Sequence, residues 1–299
     1  LVAAISNAGG FGVLATGSMT PAELHTEIAK TMERTDKPFG VNLITLHPDL
    51  VSLSHVCMER GVSHVVLAGG LPKLADIARL TDSGIKVLGF APSLGFARRL
   101  VRAGVGAIII EGTEAGGHIG SVATSVLAQE ILPYLSEVPV FVAGGIGRGE
   151  LIAFYMEMCA SGCQLGSRFV CATESVAHPN FKKAFIRAPA RDATISVQID
   201  PRLPVIPVRA LKNKGSEEFT AKQREVAGTL DREEIAMNEA QLQIEHYWAG
   251  ALRRAVIDGD VENGSLMAGQ SVGMLKEEEP VAAIIEKLMS QSEEALARR

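Results

Sequence analysis

"PVFVAGGIGRGE" (residues 139–150) is a short apolar run, a pair of glycines and the opening of a helix. Backbone N–H groups in such a turn can approach a phosphate closely, because glycine has no Cβ in the way and a helix N-terminus attracts anions. The stretch comes close to a dinucleotide-binding fingerprint. However, Glu150 stands where the last glycine of G-x-G-x-x-G belongs, and no acidic residue follows about 20 residues on to hold a ribose. That argues against a Rossmann site. What remains is a phosphate cup at the end of a strand, with an ordinary tight turn as the plain alternative.

The same pattern recurs along the chain, in "FGVLAT" (11–16), "FGVNLIT" (39–45), "HVVLAGG" (64–70), "KVLGFAP" (86–92), "AIIIEGT" (107–113) and "CQLGSRFV" (163–170). Runs apolar on both faces suit parallel strands covered on both sides. Between them lie amphipathic helices. In "TPAELHTEIAKTMERT" (20–35) Thr20 can cap, Pro21 takes the first helical position and Glu23 completes a capping box. "SLGFARRLVRAG" (93–104) runs to a helix-stopping Gly104. Strand starts fall roughly 20–33 residues apart, the length of a βα unit. The chain opens in "LVAAISNAGG", a helix already under way, so seven strands are visible and one before Leu1 would make eight.

The expected fold class is therefore α/β, a (β/α)8 TIM barrel whose first strand is missing from the chain, with a small helical substrate or lid domain. In such barrels phosphate commonly binds after strands seven and eight. With one strand supplied in front, those become 139–145 and 163–170, and Gly144, Gly145, Gly166 and Ser167 form the expected cup.

The βα pattern breaks near residue 190. "DPRLPVIPVRALKNKGSEEF" (200–219) has three prolines in eight residues and reads as connection rather than strand; helices are expected at 219–229 and 232–257. The expected organisation is a barrel over 1–190, a helical cap over 191–264, and a segment over 265–299 that returns to the barrel.

The chain has 299 residues, of which 47% are hydrophobic, and its formal net charge is −5. No run reaches the ~18 apolar residues of a membrane span, and the mild acidity argues against a nucleic-acid surface. Four cysteines, Cys57, Cys159, Cys163 and Cys171, fit neither a disulfide framework nor paired zinc spacing. The last three read as small core residues, no metal site is expected, and a reduced cytoplasmic setting is the default. No Walker A, HExxH or GxSxG motif is present. The basic residues of "PVRALKNK" (207–214) could meet a charged substrate or simply face water.

Two features point to chemistry. Asn42 interrupts an apolar strand, and a buried amide needs partners, either a neighbouring loop or a polar heterocycle. In "IIIEGTEAGGHIG" (108–120), Glu111 ends a strand, Gly116 and Gly117 bring the backbone close to something flat or bulky, and His118 projects over the barrel mouth. Imidazole titrates near neutral pH and can act as general acid or base. His25, His55 and His246 lie in expected helices and read as packed or solvated.

Taken together, "LVAAISNAGGFGVL", "TDKPFGVNL", "EGTEAGGHIG", "VAGGIGRGE", "QLGSRFVCATES" and "GDVENGSLMAGQ" resemble the nitronate monooxygenase (2-nitropropane dioxygenase) family of FMN-dependent barrels, close to its enoyl-acyl-carrier-protein reductase II branch. The resemblance covers nearly the whole chain. It implies FMN with its phosphate on Gly144, Gly145, Gly166 and Ser167, and Asn42 and Glu111 near the flavin ring or ribityl chain. Ala115 and Gly116 would line the flavin, and Met267, Gly269 and Gln270 belong to a segment returning to it. His118 matches the family's catalytic histidine.

The activity expected first is oxidation of alkyl nitronates with O2. NAD(P)H-dependent enoyl-acyl-carrier-protein reduction, or a related quinone reduction, is the alternative, and a non-redox phosphate-ligand barrel is the remote one. "VVLAGGLPK" (65–73) lacks the longer Gly-Asn-Pro loop associated with reductase members. The partner expected is a small-molecule substrate, without nucleic acid or membrane, and a homodimer is the assembly left open.

Overall fold

A computed structural model describes the chain except for Ser18, Pro204, Ile206, Ala249 and Arg299, and omits the side chains of Glu245 and Trp248. All seven expected strands form. They are β1 (Val13–Ala15), β2 (Gly40–Ile44), β3 (His64–Ala68), β4 (Lys86–Phe90), β5 (Ala107–Glu111), β7 (Val140–Ala143) and β8 (Gly162–Gln164), after a first helix at Val2–Asn7. They pair in parallel in the order β1-β2-β3-β4-β5-β7-β8, with β1 and β8 at the edges. The sheet thus supplies seven parallel strands of the expected TIM barrel.

Alternation along each strand sorts the residues into two faces. Val41, Val65, Leu67, Val87, Ile108, Ile110, Val140 and Val142 point outward, into one core with Leu53, Ile77, Leu100 and Leu127 of the surrounding helices. Val66, Ile109 and Ala143 point inward, in a second cluster with Val13, Leu88, Phe90 and Phe141. Val13 of β1 thus shares an interior with Phe141 and Ala143 of β7, so the sheet curls around a lumen.

Local signals hold where the chain is regular. Thr20 caps the helix Pro21–Met32, and its own N–H donates to Glu23 Oε2 (2.7 Å), closing the capping box. Ser93 caps Leu94–Arg102.

Two expectations beyond residue 190 need correction. First, the proline-rich run contains a strand, β10 (Val208–Leu211), because its prolines all precede Val208. (Pro204 itself lies outside the described residues.) β10 pairs antiparallel with β6 (Gly117–His118) on one side and β9 (Ala193–Ile195) on the other. Second, the helix expected at 219–229 is longer, Lys214–Asp231, and the one expected at 232–257 is broken into Met237–Trp248 and Ala251–Val256, with Gly250 at φ +71°. Leu203, Val205, Phe219, Val226, Ala240 and Ile244 give this part a small core of its own. The fully buried Gln223 amide donates to the Val197 carbonyl and accepts from the Ile199 N–H (both 3.0 Å), fastening the run before β10 to its helix.

The last helix, Val281–Ala297, packs along Gly149–Glu157, and Gln291 Oε1 accepts the Gly149 N–H (2.9 Å). A Cβ at Gly149 would collide with the Leu288 carbonyl, whereas one at Gly95 would meet nothing within 4 Å. Gly149→Ala should therefore lower the unfolding free energy by about 1–3 kcal/mol through overpacking. Gly95→Ala, in an open helical position, should raise it by roughly 0.5–1 kcal/mol. Urea unfolding of both variants checks the pair.

Candidate active site

Loop 112–120 is built around one carboxylate. The helix Thr124–Ile131 begins with no side-chain cap of its own, so its first N–H groups need an acceptor from elsewhere. Glu114 supplies it. Its Oε2 accepts from the Thr124 N–H (2.8 Å), the Thr124 hydroxyl (2.6 Å) and the Thr113 hydroxyl (3.3 Å). Burial alone would raise the Glu114 carboxyl, but these hydrogen bonds outweigh it and hold the group below the usual carboxylate range.

The same residue anchors the returning segment, since the Gln270 N–H donates to the Glu114 carbonyl (3.0 Å). The Gly269 N–H donates to Ser167 Oγ (2.8 Å). Met267 bridges to Ala210 of β10. Arg209, buried on β10, donates through Nε to the Thr113 carbonyl (2.8 Å) and through Nη1 to the Ala193 carbonyl. Loops 112–120, 166–168 and 267–270 and strand β10 therefore form one hydrogen-bonded unit at the C-terminal end of the strands.

This unit brings together Ala115, Gly116, Gly144, Gly145, Ser167, Gly269 and Gln270. A Cβ on Gly145 (φ +73°) would stand 2.9 Å from Glu114 Cβ, and one on Gly144 (φ +104°) would stand 3.1 Å from the Ala115 N. Gly116 has a different reason from the one expected. A Cβ there would collide with the Gly269 N and Ala268, so the close approach it permits is to the chain itself. Gly166 is the opposite case. Its φ of −111° needs no glycine, and a Cβ would meet nothing within 4 Å. The backbone is open there, beside a Ser167 hydroxyl that accepts from Gly269 and keeps its own proton to donate.

The lumen adds a polar set. Asn42 on β2, Glu111 on β5 and Gln164 on β8 all fall on the inward face by alternation, and Glu111, Ala143 and Gln164 are level with one another. The side chains of all three lack a hydrogen-bond partner among the described residues. The nearest tie is backbone, with Thr16 Oγ1 donating to the Asn42 carbonyl (2.7 Å). Burial pushes the Glu111 carboxyl up to about 7. Thr45, one residue past β2, holds a buried hydroxyl with no partner. Sequence reasoning missed both Gln164 and Thr45. Gln164 was visible two residues before Gly166, at a strand end and in step with Gly162.

His118 is exposed on β6, opposite Val208. The other histidines follow expectation, with His25 receiving a hydrogen bond from Arg60 (3.2 Å) and His55 and His246 exposed. Of the basic residues in 207–214, Arg209 is structural and Lys212 and Lys214 pair with Glu217 and Glu218. Burial raises the thiols of Cys57 and Cys163 to about 12 and of Cys171 to about 11. Cys159 departs from its expected core position. It is exposed, at φ +72°, just past the helix Gly149–Glu157. Among the described residues no group of three or more His, Cys, Asp or Glu could hold a metal ion, and no helix is long and apolar enough to cross a membrane.

A family model described as nitronate monooxygenase matches residues 1–291. The chain belongs to the nitronate monooxygenase family. It is 31% identical to a (3aS,4S,5R,7aS)-5-hydroxy-7a-methyl-1-oxo-octahydro-1H-indene-4-carboxyl-CoA dehydrogenase of Rhodococcus jostii, over 92% of this chain and 83% of that protein. It is 30% identical to a nitronate monooxygenase of Paraburkholderia phytofirmans, over 68% of each. FabK of Thermotoga maritima superposes with a TM-score of 0.88 at 36% identity, covering 99% of this chain and 89% of that one. A nitroalkane oxidase of Streptomyces ansochromogenes gives 0.81 at 26%, covering 99% and 92%.

The Glu111 carboxyl sets a stability test. Its folded value, about 7, lies above the ordinary 4.5, so the folded state holds the proton more tightly than the unfolded one. Stability from this group is therefore lost as pH rises from 4.5 to 7, by roughly 3 kcal/mol in all. Glu111→Gln removes the titration. It should be more stable than the parent at pH 8, with the gap closing towards pH 4.5, as read by urea unfolding at both pH values.

Proposed function

We propose that the chain is an FMN-dependent oxidoreductase whose substrate is an acyl thioester with a bulky apolar part. The observation that carries the flavin is the set of partnerless polar groups on the lumen face of an otherwise apolar barrel. Asn42 and Glu111 are half-buried and Gln164 is exposed, so all three keep donors and acceptors free that suit a flat heterocycle with polar edges. The open backbone at Gly166 and the free hydroxyl proton of Ser167 suit its phosphate, with Gly144 and Gly145 alongside. Ala115, Gly116 and the segment through Met267, Gly269 and Gln270 wall the same space. Bound there, FMN supplies two-electron chemistry that no side chain can.

The chain's own residues do the rest. His118 is exposed at the mouth, where it can hold a substrate carbonyl oxygen or pass a proton to it. Glu114 fixes the loop that carries it. Leu46 (79%) and Leu71 (46%) in the loops after β2 and β3, and Leu74 (69%) at the start of the helix Leu74–Asp82, are exposed at this end of the barrel. A Cβ on Gly70 would stand 3.9 Å from Leu46 Cγ, so the two loops touch. Such an apolar rim beside a polar site suits an acyl group better than a small anion. The name of the Rhodococcus relative supports the same reading, at slightly higher identity and greater coverage of this chain than the relatives named for nitronates. We therefore read the thioester ahead of the nitronate that the sequence alone ranks first. Nitronate oxidation stays as the second reading on one observation, the exposed His118 imidazole, which when protonated would bind a small anion.

Anaerobic mixing tests the pair. NADH or NADPH should bleach the oxidised-flavin absorbance, and a long-chain enoyl thioester should restore it. His118→Ala should slow the restoring step roughly 10²-fold and leave the bleaching largely unchanged. Bleaching by propionate-3-nitronate, with both nicotinamide nucleotides inert, would overturn the thioester reading in favour of the second.

A further inference from the structure

We propose that Glu111 carries a proton when the flavin is bound, so that it donates a hydrogen bond to the cofactor and ties cofactor affinity to pH. This rests on the FMN reading above. The geometry is that of a carboxyl group with nothing to answer its charge. On the lumen face around Glu111 β4 contributes Leu88 and Phe90, β5 itself Ile109, and β7 Phe141 and Ala143, none of them titratable; Lys86 and His64 share that face by alternation but begin their strands, at the end away from Glu111. Across the barrel β2 contributes Asn42, and beyond β7 stands Gln164, both neutral. Of the titratable groups in its own loop, Glu114 is turned to Thr124 and His118 is exposed on β6. The charged groups of the flanking helices, Arg98, Arg99, Arg102 and Glu130, belong to elements packed on the outer face of the sheet.

An ionised carboxylate here has no cation beside it, and burial already favours its neutral form. A flavin laid over it would remove further water and bring its own phosphate charge, and both effects weigh against the carboxylate. A neutral carboxyl avoids both and gains a donor. Glutamine at this position would donate at every pH, so the glutamate makes the contact conditional.

When only the protonated form binds, the apparent Kd grows as that form is depleted, tenfold per pH unit above the titration point. FMN fluorescence quenching on the refolded or stripped apoprotein should then show the parent's Kd rising about a hundredfold from pH 6 to pH 9, given titration near 7. Glu111→Gln should lack that rise. Ionisations of FMN and of groups elsewhere in the chain are common to both proteins and cancel in the ratio. A ratio flat across this range overturns the inference. Calorimetry on the parent alone gives a second test that no variant can spoil. In buffers of different ionisation enthalpy at pH 8, binding should take up about one proton per FMN, and zero uptake overturns the inference. If neither protein binds FMN at any pH while both are folded by circular dichroism, the flavin reading falls first and this one with it.

Discussion

The pairing of Glu114 with the start of the helix Thr124–Ile131 is the contact on which the mouth of this barrel depends. A helix without a side-chain cap leaves its first N–H groups unpaired, and a carboxylate at that end is favoured by the helix dipole as well. Glu114 meets that need with its side chain while its carbonyl takes the Gln270 N–H, so one residue joins the loop after β5 to a helix ten residues on and to a segment more than 150 residues away. Gly269 and Ser167 then join that segment to the loop after β8. Arg209 adds the cap strand β10. His118 is positioned by this arrangement alone, since it is exposed and its strand is two residues long.

Much of this was legible in the sequence. All seven parallel strands could be read because a strand buried on both faces is an apolar run, and in a βα unit it ends in a turn that glycine favours. The Thr20–Glu23 capping box is local chemistry and could be read for the same reason. What could not be read depends on pairs distant in the chain. Nothing around Glu114 announces that Thr124 starts a helix with an empty cap. Three prolines conceal β10, whose pairing partners, residues 117–118 and 193–195, are too short to show a period. Gln164 lies in a three-residue strand where alternation has almost no length to declare itself.

The glycines of the candidate site carry a further lesson. A glycine in a motif invites the inference that a ligand lies close by, yet Gly116 is accounted for by Ala268 and Gly269. Only Gly166 is left unexplained by either conformation or packing. The sequence cannot separate these cases, because both leave the same letter. A Cβ placed on the folded chain can.

Polar groups set inside the fold divide in the same way. Away from the mouth they are answered: Gln223 by Val197 and Ile199, Lys182 by the Ala172 carbonyl and Glu278, Arg168 by Glu279. Each of these ties two segments together, which is a structural reason to bury a polar side chain. Of the two orphans elsewhere, Ser265 Oγ is a single hydroxyl and Arg60 Nε belongs to a guanidinium that still reaches His25. The lumen alone gathers Asn42, Glu111 and Gln164 on one face, none answering another and none holding segments together. Asn42 and Glu111 are half-buried and Gln164 is exposed, so water can reach what no side chain answers. Under the proposed flavin reading a bound cofactor would take the place of that water, and these side chains stay free of internal ties because their partner would be the ligand.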